Sequence, residues 1–194
     1  MSGPPQVVLL DSNAYFRLAR TIRPLLQGTF GTSPIYTLYV LDVLDDEYRT
    51  NPRLQNKFFW LNQAEYKTDR GLKRYKPAGK KIKGASTAFS YLDHYAREQR
   101  LSLAPEDLHA LAVGLAFEFI VVTDDNGMCE VARAHGIACW GIITLLHLMV
   151  KSNKITMETV IELLQYLVQE DDLPMSRTDL SAEFQKTFGF VCPL

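Results

Sequence analysis

Four acidic side chains fall where apolar segments of the 194-residue chain hand over to helices or turns. Asp11 closes the apolar run Val7–Leu10, and Asp107 lies in the first turn of a helix that Pro105 is suited to begin. Asp124 and Asp125 follow the apolar run Phe119–Val122, inside the turn Thr123–Gly127. Each of these aspartates has an ordinary use as a helix cap or turn residue, because its oxygens can accept the free amides of a helix start. Glu47 is of another kind. It shares one helical stripe with Val43, Leu44 and Tyr48, while Asp42, Asp45, Asp46 and Arg49 share the opposite stripe. A Glu within an apolar stripe is costly to desolvate unless something pairs with it.

The elements that would position these acids follow from hydrophobic spacing. Leu108, Leu111, Ala112, Leu115 and Ala116 recur as one buried helical stripe. Phe119–Val122 reads as a strand, and Met128, Val131, Ala132 and His135 as the next helix, stopped by Gly136. A helix that precedes a parallel strand runs antiparallel to it. The start of the Asp107 helix therefore lies at the edge where the Phe119–Val122 strand ends, beside Asp125. Val7–Leu10 and Ile35–Val40 read as two further strands, the first leading into a helix through Tyr15, Phe16, Leu18 and Ala19, the second into the Glu47 helix. All the acids then share the carboxyl edge of a parallel sheet, where ligands of open α/β sheets bind.

Four carboxylates meeting at one edge would repel, and some would stay protonated unless a cation compensated them. Carboxylate and water ligands suit magnesium or manganese. Two such ions roughly 3.5–4 Å apart can hold a phosphodiester, activate a water for in-line attack and stabilise the leaving oxygen. Asp11, Glu47, Asp107 and Asp125 are thus the candidate catalytic and metal-binding residues, with Asp124 as the alternative to Asp125.

Charge is unevenly distributed. Between Arg49 and Lys83 eleven Lys or Arg residues stand against Glu65 and Asp69, while the rest of the chain carries ten basic and twenty acidic groups. The formal total of −1 hides this split, which suits a polyanion contact or simply a solvated, partly helical loop. Lys73, Arg74, Lys76, Lys80, Lys81 and Lys83 are the candidate nucleic-acid contacts, with Tyr66 and Tyr75 interleaved for stacking. From Asn51 to Ser90 the periodicity weakens, and helical pieces around a mobile basic loop are expected before a helix from about Thr87 to Glu98. GKKIKGAS, which begins at Gly79, is no Walker loop, since it lacks GxxxxGK[ST] after a strand.

With 47% hydrophobic and 22% charged residues, the chain has the make-up of one globular domain with room for an insertion. The start MSGPPQ has no basic leader region, and no apolar run reaches the roughly 18 residues of a membrane span. A soluble, cytoplasmic protein is expected. Cys129, Cys139 and Cys192 lack CxxC or zinc-like spacing and read as reduced thiols, two of them in the core. A short strand Ile137–Trp140, a helix through Thr144–Val150 and a helix capped by Thr156 with Val160, Leu163, Leu164, Leu167 and Val168 buried complete the pattern, followed by a loose tail.

The segments VVLLDSNA, VLDDEY and EDLHALAVGLAFEFIVVTDDNGMCEVARAHGI resemble, in order and spacing, the four motifs of the PIN-domain nucleases, the PilT N-terminus-like family that includes toxin ribonucleases of bacterial toxin–antitoxin pairs. The resemblance implies a three-layer α/β/α fold with a central parallel sheet. It divides the chain into a nuclease domain at 1–150, with a basic insertion at about 49–86, and a C-terminal helical extension at 151–194 packed on the same domain. It matches Asp11, Glu47, Asp107 and Asp125 to the family's acids, and Asn13 and Thr123 to polar positions that support them. It implies an endoribonuclease using one or two Mg2+ or Mn2+ ions, with RNA as substrate, single-stranded DNA as a second candidate, an antitoxin protein as partner and a homodimer as assembly. The chain exceeds the compact toxins of the family in length, so a toxin role follows less directly than the fold.

The alternative is a protein that keeps this fold and binds nucleic acid or protein without cutting. A phosphatase with Asp11 as nucleophile would need DxD, and the second position after Asp11 is Asn13. Serine and cysteine hydrolase motifs and HExxH are absent from the sequence.

Overall fold

The computed structural model describes residues 3–194, so the first two residues of the MSGPPQ start lie outside it. Five parallel strands, β1 (Gln6–Leu10), β2 (Tyr36–Leu41), β3 (Arg74–Tyr75), β4 (Ile120–Val122) and β5 (Cys139–Trp140), form one sheet in the order β3-β2-β1-β4-β5. β1, β2 and β4 are buried on both faces over most of their length, which is why they read as continuous apolar runs and not as alternating ones. In β1, Val8 and Leu10 enter one core while Leu9 enters the other. Helices cover both faces, giving the expected three layers.

One face carries α1 (Ser12–Ala19), α8 (Ile142–Lys151), α9 (Met157–Gln169) and α10 (Arg177–Phe188), whose Phe16, Leu18, Leu146, Leu164 and Phe184 share a single apolar core. The other carries α5 (Lys80–Glu98), α6 (Pro105–Phe117) and α7 (Asn126–Ala134), joined through Leu92, Leu111 and Val131. Between β2 and β3 run α2 (Val43–Thr50), α3 (Pro52–Lys57), a 3-10 turn at Phe59–Asn62 and α4 (Ala64–Leu72). The chain adds β2 and β3 on one side of β1, then returns to place β4 on the other. The switch point of the sheet is therefore between β1 and β4. Gly114 holds α6 tightly over that point, since a Cβ there would lie 2.7 Å from the Val121 side chain.

Three features depart from the expectations. The basic segment supplies an edge strand, β3, which pairs Arg74 and Tyr75 with Val40 and Leu41. Two residues are too few for a periodic signal, and the pairing is decided by the neighbouring strand. Helix α5 begins at Lys80, one to two turns before Thr87, so GKKIKGAS is helical and not a loop. The tail expected to be loose forms α10, capped by the Ser176 hydroxyl, which accepts the Asp179 amide at 3.1 Å. Its buried stripe is only Leu180 and Phe184, too sparse to stand out. The Thr156 cap of α9 is as expected. Among the described residues, no helix is long and apolar enough to cross a membrane.

Candidate active site

Asp11 sits at the switch point. Its backbone amide donates to the Val122 carbonyl at 3.1 Å, and its carboxylate accepts the Ala14 amide as the cap of α1. Only 5% of it is exposed. Burial pushes its pKa up to about 7, while hydrogen bonds from the Thr123 hydroxyl and the Ala14 amide oppose the rise and the charges of Asp124 and Asp107 add to it. Thr123 is fully buried beside it, and its Oγ1 also accepts the Asp125 amide at 3.1 Å. Asn13 is exposed on the first turn of α1.

Glu47 projects from α2 toward the same place. Its Oε2 is buried without a hydrogen-bond partner among the described residues, while the nearby Ser12 hydroxyl favours its anionic form. Burial raises its pKa, and Glu106 and Asp107 raise it further. Asp107 is half-buried at the start of α6, where its Oδ2 accepts the Ala104 amide at 3.1 Å. Its pKa is raised first by burial, then by Asp125 and Glu106, against the lowering effect of that amide bond. Asp11, Ser12, Glu106 and Asp107 line one cleft, walled by Leu10, Val43 and Leu44. The cleft is tight, with a free volume of ≈ 10 Å³, about one water-sized sphere. Ser12 and Glu106 escaped the sequence reading because each has a routine place in the first turn of a helix.

The two acids after β4 diverge. Asp125 is exposed, caps α7 by accepting the Met128 amide at 2.8 Å, and acts electrostatically on Asp107. Asp124 instead accepts the Ile142 amide at the start of α8 at 3.1 Å, and its Oδ2 is buried without a hydrogen-bond partner among the described residues. Burial pushes its pKa up to about 6, with Glu183 adding and Arg17 opposing. It lines a separate cavity of ≈ 440 Å³ with Cys129, Cys139, Trp140 and Glu183. Cys129 and Cys139 are half-buried there, their sulfurs 4.0 Å apart, so only Cys192 is a core thiol where two were expected.

Donor chemistry at the rim fits a hard divalent cation. Burial and neighbouring acids raise the pKa of Asp11, Glu47 and Asp107 together, and the Glu47 Oε2 has no hydrogen-bond partner among the described residues. The side chains are not drawn in around a single point, however: among the described residues no group of three or more His, Cys, Asp or Glu side chains is placed to hold a metal ion.

The six basic candidates do not gather at this rim. Arg74 pairs with Asp45 of α2 at 3.2 Å and Lys76 with Asp42, the residue that precedes α2, at 3.1 Å. Lys73 donates to the Thr37 hydroxyl at 2.9 Å and lies over the Tyr39 ring, toward the amino end of β2. Lys80, Lys81 and Lys83 are exposed on the first turns of α5. The Lys81 ammonium lies over the Phe117 ring, ten residues and hence roughly 15 Å along α6 from Asp107. The sequence also gave no sign that Arg70 of this segment is buried, bonded to Asp45 at 2.9 Å and to the Leu61 carbonyl.

No family model matches the sequence, and no curated protein matches it. Among solved structures, the crystal structure of FitAcB from Neisseria gonorrhoeae is similar at 14% identity, over 70% of this chain and 97% of that chain, with a TM-score of 0.46.

Proposed function

We propose that this protein is a magnesium- or manganese-dependent ribonuclease. The observation that carries the reading is the set of under-compensated carboxylates at the switch point, where Asp11, Glu47 and Asp107 arrive from three separate elements. The motif resemblance to PIN-domain nucleases at the same residues supports it, and supports a place among toxin–antitoxin pairs with an antitoxin partner and a homodimeric assembly. Asp11, Glu47 and Asp107 would hold the cation, with Asp125 on their side of the β4 turn. When bound, the cation supplies Lewis-acid polarisation of the phosphodiester and an acidified water. The chain contributes the rest. Ala14, Ala104 and Met128 amides each fix one oxygen of Asp11, Asp107 and Asp125. Ser12 and Thr123 orient Glu47 and Asp11, and burial strips these acids of competing water.

The test is cleavage of an end-labelled RNA mixture by the purified protein with Mn2+, Mg2+ or EDTA, beside Asp11→Asn. Asn can still accept the Ala14 amide, so the cap and fold are retained. The reading expects metal-dependent cutting that the substitution abolishes. Cutting that persists in EDTA or in Asp11→Asn overturns it. RNA retention without cutting by either would instead favour a binding protein that keeps the fold.

A further inference from the structure

We propose that Cys129 and Cys139 are a peroxide-responsive redox pair, closing to a reversible disulfide that locks the turn carrying Thr123, Asp124 and Asp125. Neither thiol enters the ribonuclease reading, so the pair stands or falls apart from it. The two sulfurs lie 4.0 Å apart, against about 2.05 Å in a disulfide. The gap of about 2 Å is within the swing of a sulfur between staggered rotamers, so side-chain rotation can close it. Both cysteines are half-buried and both line the ≈ 440 Å³ cavity, which gives a small oxidant one approach to the two of them. Cys192 is the contrast, only 7% exposed within the core on the other face of the sheet.

The lining selects the oxidant. Asp124 and Glu183 set two carboxylates against the one guanidinium of Arg133, which disfavours an anionic disulfide such as oxidised glutathione and leaves a small neutral peroxide as the fitting class. A thiophilic metal ion fits less well, since among the described residues no group of three or more His, Cys, Asp or Glu side chains is placed to hold one. In the reaction one sulfur attacks a peroxide oxygen and the O–O bond breaks. The thiol proton leaves with the departing oxygen as water, and the sulfur becomes a sulfenic acid. The second sulfur then attacks the first. The S–S bond forms, the S–O bond breaks, and the hydroxide leaves with the second thiol proton as water. Two thiols thus lose two electrons, and one peroxide is reduced to two waters.

The pair spans the foot of the β4–α7 turn. Cys129 lies in the first turn of α7, where its thiol donates to the Thr123 carbonyl at 3.8 Å and its amide to the Asp125 carbonyl at 2.9 Å. Cys139 stands beside Val121 in β5, and the adjacent Trp140 carbonyl accepts the Thr123 amide at 3.0 Å. β5 is a two-residue strand at the edge of the sheet, so few bonds hold that side of the turn in the reduced protein. A disulfide closes the loop 129–139, ties β5 to the start of α7 and takes the thiol hydrogen from the Thr123 carbonyl.

The pair is tested by treating the purified protein with one equivalent of hydrogen peroxide, followed by alkylation, non-reducing intact mass and peptide mapping. The expected product is an intramolecular Cys129–Cys139 disulfide, lighter by two hydrogens, in which only Cys192 is alkylated. Dithiothreitol should restore all three thiols, and Cys192→Ser should close the same bond. Cys129 and Cys139 should be consumed at least about tenfold faster than Cys192. Hydrogen exchange in the oxidised protein should be about tenfold slower at residues 123–125 and in β5. Three alkylated thiols after peroxide, a disulfide through Cys192 or between two chains, or sulfinic acid without a cross-link would each overturn the pair. A closed disulfide with unchanged exchange at the turn would overturn the lock.

Discussion

The acidic rim and the basic segment differ in what decides where their charges go. At the rim, each of the four aspartates gives one carboxylate oxygen to a main-chain amide beside it or across the edge: Ala14, Ala104, Met128 and Ile142. Their places are consequences of where strands end and helices begin. In the basic segment the charged groups are placed by partners far along the chain, Asp45 for Arg70 and Arg74, Asp42 for Lys76, and Thr37 for Lys73. The first kind of placement keeps like charges together against repulsion. The second disperses like charges among separate partners.

That difference should appear first in the pH dependence of stability. Native Asp11 titrates at about 7 against an ordinary 3.8, so between those values the folded state holds a proton that the unfolded state has released. Its stabilising contribution is full below about pH 4 and is lost as pH rises through 7, on the order of 4 kcal/mol in the metal-free protein. Urea unfolding in EDTA should therefore give falling stability from pH 4.5 to 8, and Asp11→Asn should flatten much of that slope. A wild type equally stable across the range would break the claim that the rim is under-compensated.

Somewhat smaller is the effect expected at Arg70, the one member of the basic segment built into the core. Arg70→Met removes its bonds to Asp45 and the Leu61 carbonyl and should cost about 3 kcal/mol, a fall in Tm on the order of 10 °C. An unchanged Tm would show that the segment is not anchored through this residue.

The pair Asp124 and Asp125 sharpens the rim itself. Asp125→Asn should reduce RNA cleavage by more than the roughly 10–100-fold typical of a supporting residue, with Asp124→Asn at or below that range. The reverse order would move the fourth ligand to the cavity under α10.

The smallest effect belongs to the exposed lysines. Lys80, Lys81 and Lys83 load the positive end of α5 with like charge, so replacing all three by Ala should raise stability slightly, by less than about 1 kcal/mol. If they also contact a single-stranded RNA, the slope of log affinity against log salt should fall by about 2. An unchanged slope would leave them without an RNA role.

This contrast also accounts for how much the sequence disclosed. The sheet was legible because β1, β2 and β4 are buried on both faces, and the acids were legible because each follows or precedes such an element by a fixed offset. Glu47 stood out by the opposite logic, a carboxylate where the stripe calls for an apolar residue, and its buried Oε2, without a hydrogen-bond partner among the described residues, is the physical form of that anomaly. β3 and α10 were not legible, since a two-residue edge strand and a helix with two buried side chains carry too little pattern. Nor was the dispersal of the basic side chains. Net charge counts cations without saying which are committed to Asp42, Asp45 or Thr37.

The central claim, that the rim is organised to take a divalent cation, is tested most directly by calorimetric titration of the wild type and Glu47→Gln with Mn2+ at pH 6.5 in buffers of different ionisation enthalpy. The account predicts binding by the wild type with release of protons, because Asp11 is largely protonated at that pH and must lose its proton to serve as a ligand. Glu47→Gln should bind markedly more weakly. Binding that is absent in the wild type, or equally strong in Glu47→Gln with no proton released, would contradict it.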